Sequence, residues 1–269
     1  MAADLSRRAR TAALVLPGLL LAVTWGPPWL FLAILAAALG LAGVELGRLL
    51  QDGGVRPQWL LGGGVAGALV WDLTSLASPG ATPLVVAALL CLGIWSGRAD
   101  PAAWIRGAGA SLAAGLYLGV TGGALARLRA APPEEDGGSR ILLLLAVVMV
   151  SDTAAYFAGH AFGRRPLAPL ISPAKTVEGA LGGLAGGAVA GAGAALLAFP
   201  AHGIWQLALL GAVAAGFGAL GDLAESALKR WAGAKDSGRL LPGHGGMLDR
   251  LDSLLSAAPV LYYYFAGFR

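Results

Sequence analysis

Charged residues and cysteine are both scarce in this sequence. Only 13% of the 269 residues are charged, whereas 57% are hydrophobic. A soluble domain usually has about a quarter charged residues, so this composition excludes an ordinary soluble protein and predicts a polytopic membrane protein. The one cysteine, Cys91, lies in an apolar run, which excludes an intrachain disulfide and a cysteine-based metal site. Glycine is abundant, with 42 residues, and favours close helix packing in lipid.

The apolar segments lack the alternation of period two that is typical of strands, and they are rich in Leu, Ala and Gly. Strands are therefore not favoured in these runs, and we predict an all-α fold with about nine transmembrane helices. The first helix is expected to be retained, because no small-x-small cleavage site follows it. The predicted segments are 11–25, 29–50, 59–78, 82–97, 102–120, 140–160, 177–199, 203–221 and 251–268.

The distribution of Lys and Arg predicts the orientation in the membrane. With the N-terminus in the cytoplasm and the C-terminus outside, 15 of the 19 Lys and Arg residues face the cytoplasm and 4 face outwards. The opposite orientation would reverse this ratio. The clusters of polar residues then all face the cytoplasm, where nucleotides are found.

Two helix ends carry carboxylates at helical spacing. Asp222, Glu225 and Ser226 share one face with Lys229, and Asp249 and Asp252 share a face at the start of the last segment. Carboxylates from two helices at one membrane depth form a site for a hard divalent cation such as Mg²⁺, which also takes water and substrate phosphate as ligands. Ordinary charge pairs at helix ends are the alternative for any one of these residues.

The loop between these helices predicts an anion site. It contains Lys235, Asp236 and Ser237, followed by the turn Pro242-Gly243-His244-Gly245-Gly246. Consecutive glycines let backbone N–H groups converge on an anion, and the nearby Lys and Arg residues supply charge for a triphosphate. His244 is either a phosphate contact or an incidental residue of the turn.

Two upstream segments are further candidates for substrate contacts. Ser172 is predicted as the N-cap and Pro173 as the first residue of the seventh helix, which would direct free N–H groups and Lys175 towards an anion. Asp152 lies inside the sixth segment, with Tyr156 on the same face. It either contacts a metal or the substrate, or it forms a structural hydrogen bond to a neighbouring helix. Glu45 and Asp72 lie near predicted helix ends and are assigned no special role.

The glycines of the seventh segment, including Gly183, Gly187 and Gly191, follow a small-xxx-small spacing. No strand precedes them and they lack the GxGxxG spacing, so the pattern predicts helix packing rather than a nucleotide loop.

The stretch from Ser226 to Asp252 resembles the signature of phosphatidate cytidylyltransferases (CDP-diacylglycerol synthases). The shared positions run through Lys229-Arg230, Lys235-Asp236 and the Pro242–Asp252 segment, and the SDTAAYFAG and SPAKTVEG segments are similar to other recurrent stretches of that family. Val177, where an aromatic residue is expected, is the one departure. The similarity covers residues 140–269.

The resemblance implies the reaction of CTP with phosphatidate to give CDP-diacylglycerol and pyrophosphate. It also implies a Mg²⁺ requirement, with a second metal or a monovalent cation left open, and a homodimer in the plasma (inner) membrane with a cytoplasmic active site. Asp222 and Asp249 would hold the metal, and no nucleic-acid partner is expected. The predicted catalytic residues are Asp222, Lys229, Arg230, Lys235, Asp236, Asp249, Arg250 and Asp252. The predicted substrate-binding residues are Asp152, Tyr156, Ser172, Lys175, Thr176, Glu178, Ser226, Ser237, His244, Gly245 and Gly246.

The predicted organisation is an N-terminal membrane region, residues 1–135, and a C-terminal catalytic region, residues 136–269. Two other functions fit parts of the pattern. A CTP-dependent polyprenol or phytol kinase would release CDP instead of pyrophosphate. A cation transporter would need charges distributed through the membrane depth, whereas here they gather on one side.

Overall fold

The computed structural model describes residues 18, 21–22, 26–74, 81–95, 100–130, 136–238 and 245–267. Eight helices and one short hairpin occur in this part of the chain. The helices are α1 (Pro28–Asp52), α2 (Trp59–Thr74), α3 (Ala81–Trp95), α4 (Pro101–Ala130), α5 (Gly137–Phe162), α6 (Val177–Leu197), α7 (Ile204–Trp231) and α8 (Leu248–Gly267).

These eight helices coincide with eight predicted apolar segments, so the predicted helical architecture is confirmed. Five of them, α1 and α4 to α7, are long and apolar enough to cross a membrane. The predicted first segment, 11–25, lies largely outside the described residues. The count of nine spans and the orientation of the termini therefore stay predictions.

A short hairpin lies between the predicted segments 140–160 and 177–199, and the sequence did not predict it. Strand β1 (Pro166–Ala168) pairs antiparallel with β2 (Ser172–Thr176), with Pro166 opposite Thr176 and Ala168 opposite Ser172. Pro173 disfavours the helical conformation for Ser172, which leaves this residue extended. The hairpin is too short for an alternating pattern to show in the sequence.

The predicted start of the seventh helix at Ser172 is wrong. Thr176 is the N-cap of α6, and its side chain accepts a hydrogen bond from the Gly179 N–H at 3.1 Å. Ser172 and Pro173 instead lie in β2. The β conformation of Thr176 is compatible with both a strand end and an N-cap, so the helix begins directly after the hairpin.

The chain forms two compact units. The first unit comprises Met1–Arg127 and Leu228–Arg250, and the second comprises Leu128–Ala227 and Leu251–Arg269. The first unit thus takes in the loop between α7 and α8 as well as the N-terminal helices. The functional division predicted at residues 135 and 136 stays a prediction.

In the first unit, Leu61 and Val65 of α2 pack with Ala108 of α4 to form a hydrophobic cluster. In the second unit, α6 and α7 approach closely through glycine. A Cβ atom at Gly187 would lie 2.5 Å from the Gly211 carbonyl oxygen, and one at Gly191 would overlap the Leu207 carbonyl oxygen. The prediction that these glycines serve helix packing is confirmed.

Candidate active site

A group of three carboxylates lies in the second unit. Asp222 and Glu225 project from α7 one turn apart, and Asp252 comes from α8. One oxygen of each lies within 4.8 Å of the others. Glu225 and Asp252 are 7% and 6% exposed, and Asp222 is partly buried. Three oxygen ligands at this spacing, two of them shielded from water, fit a hard divalent cation.

Polar groups around Asp222 complete the cluster. Lys175 Nζ of β2 lies 2.5 Å from Asp222 Oδ2, and the Ser226 hydroxyl donates to Asp222 Oδ1 at 3.4 Å. Asp152 of α5 interacts electrostatically with both Asp222 and Lys175. The second unit therefore brings together the predicted residues Asp152, Lys175, Asp222, Ser226 and Asp252. The structure adds Glu225, which the sequence placed on the same helix face but not among the metal ligands.

Two other predicted substrate residues support the start of α6. Thr176 caps the helix, and Glu178 Oε2 accepts hydrogen bonds from the Arg164 and Arg165 N–H groups at 3.0 and 3.2 Å. These contacts hold the end of α5 against the start of α6 and present the Lys175 side chain from the hairpin. Tyr156 is 68% exposed, and its ring stacks on that of His160.

In the first unit, Asp249 at the start of α8 organises the preceding loop. Its Oδ1 lies 2.6 Å from Lys229 Nζ. Its Oδ2 accepts hydrogen bonds from the Ser237 N–H at 3.0 Å, the Ser237 hydroxyl at 2.8 Å and the Gly246 N–H at 2.8 Å. Gly245 has a positive φ of 76°, and a Cβ there would lie 2.8 Å from Asp249 Oδ2. Glycine is therefore required both for the turn and for its closeness to the carboxylate.

Glu45 of α1 holds the same loop and was missed by sequence reasoning. Its two oxygens accept hydrogen bonds from the Met247 and Leu248 N–H groups at 3.0 and 2.8 Å, and Oε2 lies 3.2 Å from the Ser237 hydroxyl. The side chain is 4% exposed. A carboxylate here satisfies free N–H groups at the start of α8 and opposes the positive end of the helix dipole.

The assignment of no special role to Glu45 is thus corrected. The available signal was a carboxylate inside an apolar segment, the criterion that selected Asp152. Glu45 was passed over because it lies near the end of its predicted segment. Its partners are 192 to 203 residues distant in sequence, so no local pattern could reveal them.

The remaining predicted site residues of the first unit differ in their exposure to solvent. Arg230, Lys235, Asp236 and Arg250 are exposed, whereas Ser237 and Gly246 are buried in the loop. His244 lies outside the described residues. The predicted metal pair, Asp222 and Asp249, joins residues of the two units and stays a prediction.

Similar proteins give a consistent classification. The sequence model of the Cytidylyltransferase family matches residues 6–268 of this chain. The chain therefore belongs to this family. Over 118 residues it is 52% identical to the phosphatidate cytidylyltransferase of Brucella suis biovar 1, covering 44% of this chain and 43% of the relative. It is 45% identical over 112 residues to the enzyme of the same name from Staphylococcus saprophyticus, covering 42% of this chain and 43% of the relative. Each match thus spans less than half of the relative.

Proposed function

We propose that this chain is a phosphatidate cytidylyltransferase, a nucleotidyltransferase that forms CDP-diacylglycerol and pyrophosphate from CTP and phosphatidate. The observation that carries the proposal is the group of three carboxylates formed by Asp222, Glu225 and Asp252 beside Lys175, of which Glu225 and Asp252 are buried. The family assignment and the names of the matched relatives agree with this function.

The proposed reaction is an in-line displacement. A phosphate oxygen of phosphatidate attacks the α-phosphorus of CTP, the bond from this phosphorus to the oxygen bridging to the β-phosphate breaks, and pyrophosphate leaves. The nucleophile is already ionised at neutral pH, so no covalent enzyme intermediate is needed. Both reactants are anions, and their mutual repulsion is the main barrier that the enzyme must lower.

The cationic side chains lower this repulsion. Lys175 is held by Asp222 and Lys229 by Asp249, each at ion-pair distance, so both ammonium groups are positioned before substrate arrives. The exposed Arg230, Lys235 and Arg250 add positive charge for the phosphates of CTP and of the lipid. Preorganised charge of this kind stabilises a transition state without reorganisation during the reaction.

Asp222, Glu225 and Asp252 would hold a divalent cation, Mg²⁺ in this proposal. When bound, it would supply further neutralisation of the triphosphate charge. The resemblance also implies that Asp249 is a ligand of the metal, and this role stays a prediction. The contacts of Asp249 to Lys229 and to the loop are those of the structure. We further propose that the site faces the cytoplasm, as the Lys and Arg distribution predicts. The resemblance to the family also implies that the enzyme is a homodimer of the inner membrane.

Product analysis tests the proposed function. The purified chain, in detergent with phosphatidate and Mg²⁺, is given CTP labelled either at the α- or at the γ-phosphate. We expect the α-label in the lipid phase and the γ-label in pyrophosphate. Transfer of the γ-label to lipid, with release of CDP, would contradict the proposal and indicate a kinase.

A further inference from the structure

One side of α5 carries exposed polar and aromatic side chains over its last three turns. Asp152, Tyr156 and His160 follow one another at intervals of four residues, which places them along the same side of the helix. α6 packs on a different side of α5, where Gly182 lies against the Ala158 side chain. The side that carries Asp152 and Tyr156 is therefore left exposed by the packing of these two helices.

The carboxylate of Asp152 indicates that this side of α5 faces water and not lipid. Asp152 lies ten residues before Phe162, the last residue of α5, which is about 15 Å inside a candidate membrane span. A charged side chain at such a depth faces either the protein interior or a water-filled cavity, because contact with hydrocarbon is costly. Since Asp152 is exposed, a water-filled cavity is the environment that fits. Tyr156 and His160 would line the same aqueous space.

This side of α5 also adjoins the group of three carboxylates. Asp152 interacts electrostatically with Asp222 and with Lys175, and these two residues form an ion pair. Along the helix axis Tyr156 lies about 6 Å from Asp152 and His160 about 12 Å from it. A nucleotide that binds through its phosphates at Asp222 and Lys175 must extend its ribose and base away from them. α5 offers two aromatic rings within that reach.

The rings of Tyr156 and His160 are suited to hold a planar group. They are parallel to within 7°, with centroids 6.1 Å apart, and Phe157 packs on Tyr156 at a steep angle with centroids 5.5 Å apart. These contacts fix the orientation of the Tyr156 ring while 68% of the residue stays exposed. Proteins commonly hold nucleic-acid bases by stacking them on exposed aromatic rings of this kind.

We propose that Tyr156 and His160 form the binding site for the cytosine base of CTP, which stacks on their rings. The inference rests on the proposed function, which supplies CTP as the substrate, and it adds a site for the nucleoside to the site for the phosphates. Aromatic residues near the end of a membrane helix can instead belong to a belt at the lipid interface. Asp152 argues against such a belt, because it exposes a carboxylate on the same side of α5.

Binding of CTP and of inorganic triphosphate to the purified full chain, measured by isothermal titration calorimetry in detergent with Mg²⁺, tests the base site. Inorganic triphosphate carries the phosphates of CTP without the base. We expect Tyr156→Leu to weaken CTP binding at least tenfold and to leave triphosphate binding unchanged. His160→Leu should weaken CTP binding by a smaller factor. Tyr156→Phe keeps the ring and should bind CTP as the wild type does.

Phe162→Leu is the matched control. Phe162 is also an exposed aromatic residue of α5, but it lies six residues from Tyr156 and therefore on another side of the helix. This variant should bind both CTP and triphosphate as the wild type does.

Unchanged CTP binding in Tyr156→Leu would overturn the base site. Equal losses of CTP and triphosphate binding would overturn it as well, because the defect would then lie in the phosphate site or in folding. A higher KM for phosphatidate with unchanged CTP binding would assign Tyr156 to the lipid and not to the base. Absence of CTP binding by the wild-type chain would instead contradict the proposed function, and the base site with it.

Discussion

Asp249 combines an ion pair with three accepted hydrogen bonds, so the charge of its carboxylate matters in two ways. It fixes Lys229 Nζ at 2.6 Å, and it holds Ser237 and Gly246 of the loop. Hydrogen bonds to a charged group contribute about 1.5–3 kcal/mol each. We expect Asp249→Asn to lower kcat at least 100-fold while the protein still inserts and elutes as the wild type does. Turnover close to the wild-type rate in this variant would contradict the role given to Asp249.

Glu45 is expected to act on catalysis only through the loop that it holds. In Glu45→Gln an amide would replace one of the oxygens that accept the Met247 and Leu248 N–H groups, which leaves a buried donor unsatisfied at a cost of about 1–3 kcal/mol. We expect a lower thermal midpoint and a roughly tenfold lower kcat. Asp52→Asn, an exposed carboxylate on the same helix, is the control and should change neither. An unaltered thermal midpoint in Glu45→Gln would show that the loop does not depend on this carboxylate.

At the level of elements, α6 and α7 are packed through glycine, and the consequence can be tested on one helix. Gly191→Leu would place a side chain where the Leu207 carbonyl lies, so the helices must separate. Overpacking of this kind typically costs about 1–3 kcal/mol. We expect a lower thermal midpoint and a lower yield of folded protein. Gly193→Leu, also in α6 but with nothing within 4 Å of its Cβ, should leave both unchanged. Equal effects of the two substitutions would contradict the packing role.

The helices were predictable and the hairpin was not, for a physical reason. Long apolar runs bury their backbone hydrogen bonds within the segment, so α1 to α8 depend mainly on local sequence. The start of α6 depends instead on the pairing of β1 with β2, which selects Thr176 over Ser172 as the cap. The site divides in the same way. The face formed by Asp222 and Glu225 follows from helical spacing, whereas the contact of Glu45 with the distant loop is tertiary.

For the whole molecule, the Lys and Arg distribution predicts which loops face the cytoplasm. After Cys91→Ala, single cysteines at Lys235 and Glu134 should react with an impermeant thiol reagent from opposite sides of the membrane. Lys235→Cys should be labelled only in inside-out vesicles, and Glu134→Cys only in right-side-out vesicles. Labelling of both from one side would contradict the predicted orientation and place the candidate active site apart from cytoplasmic CTP.

The central claim is that Asp222, Glu225 and Asp252 together hold a divalent cation needed for nucleotidyl transfer. Its most direct test is Mn²⁺ binding to the purified chain, measured by electron paramagnetic resonance in parallel with CDP-diacylglycerol formation. We predict that Asp222→Asn and Glu225→Gln each weaken Mn²⁺ binding at least tenfold and lower turnover with it, whereas the exposed Asp52→Asn changes neither. Mn²⁺ binding at wild-type affinity in both cluster variants would contradict the account.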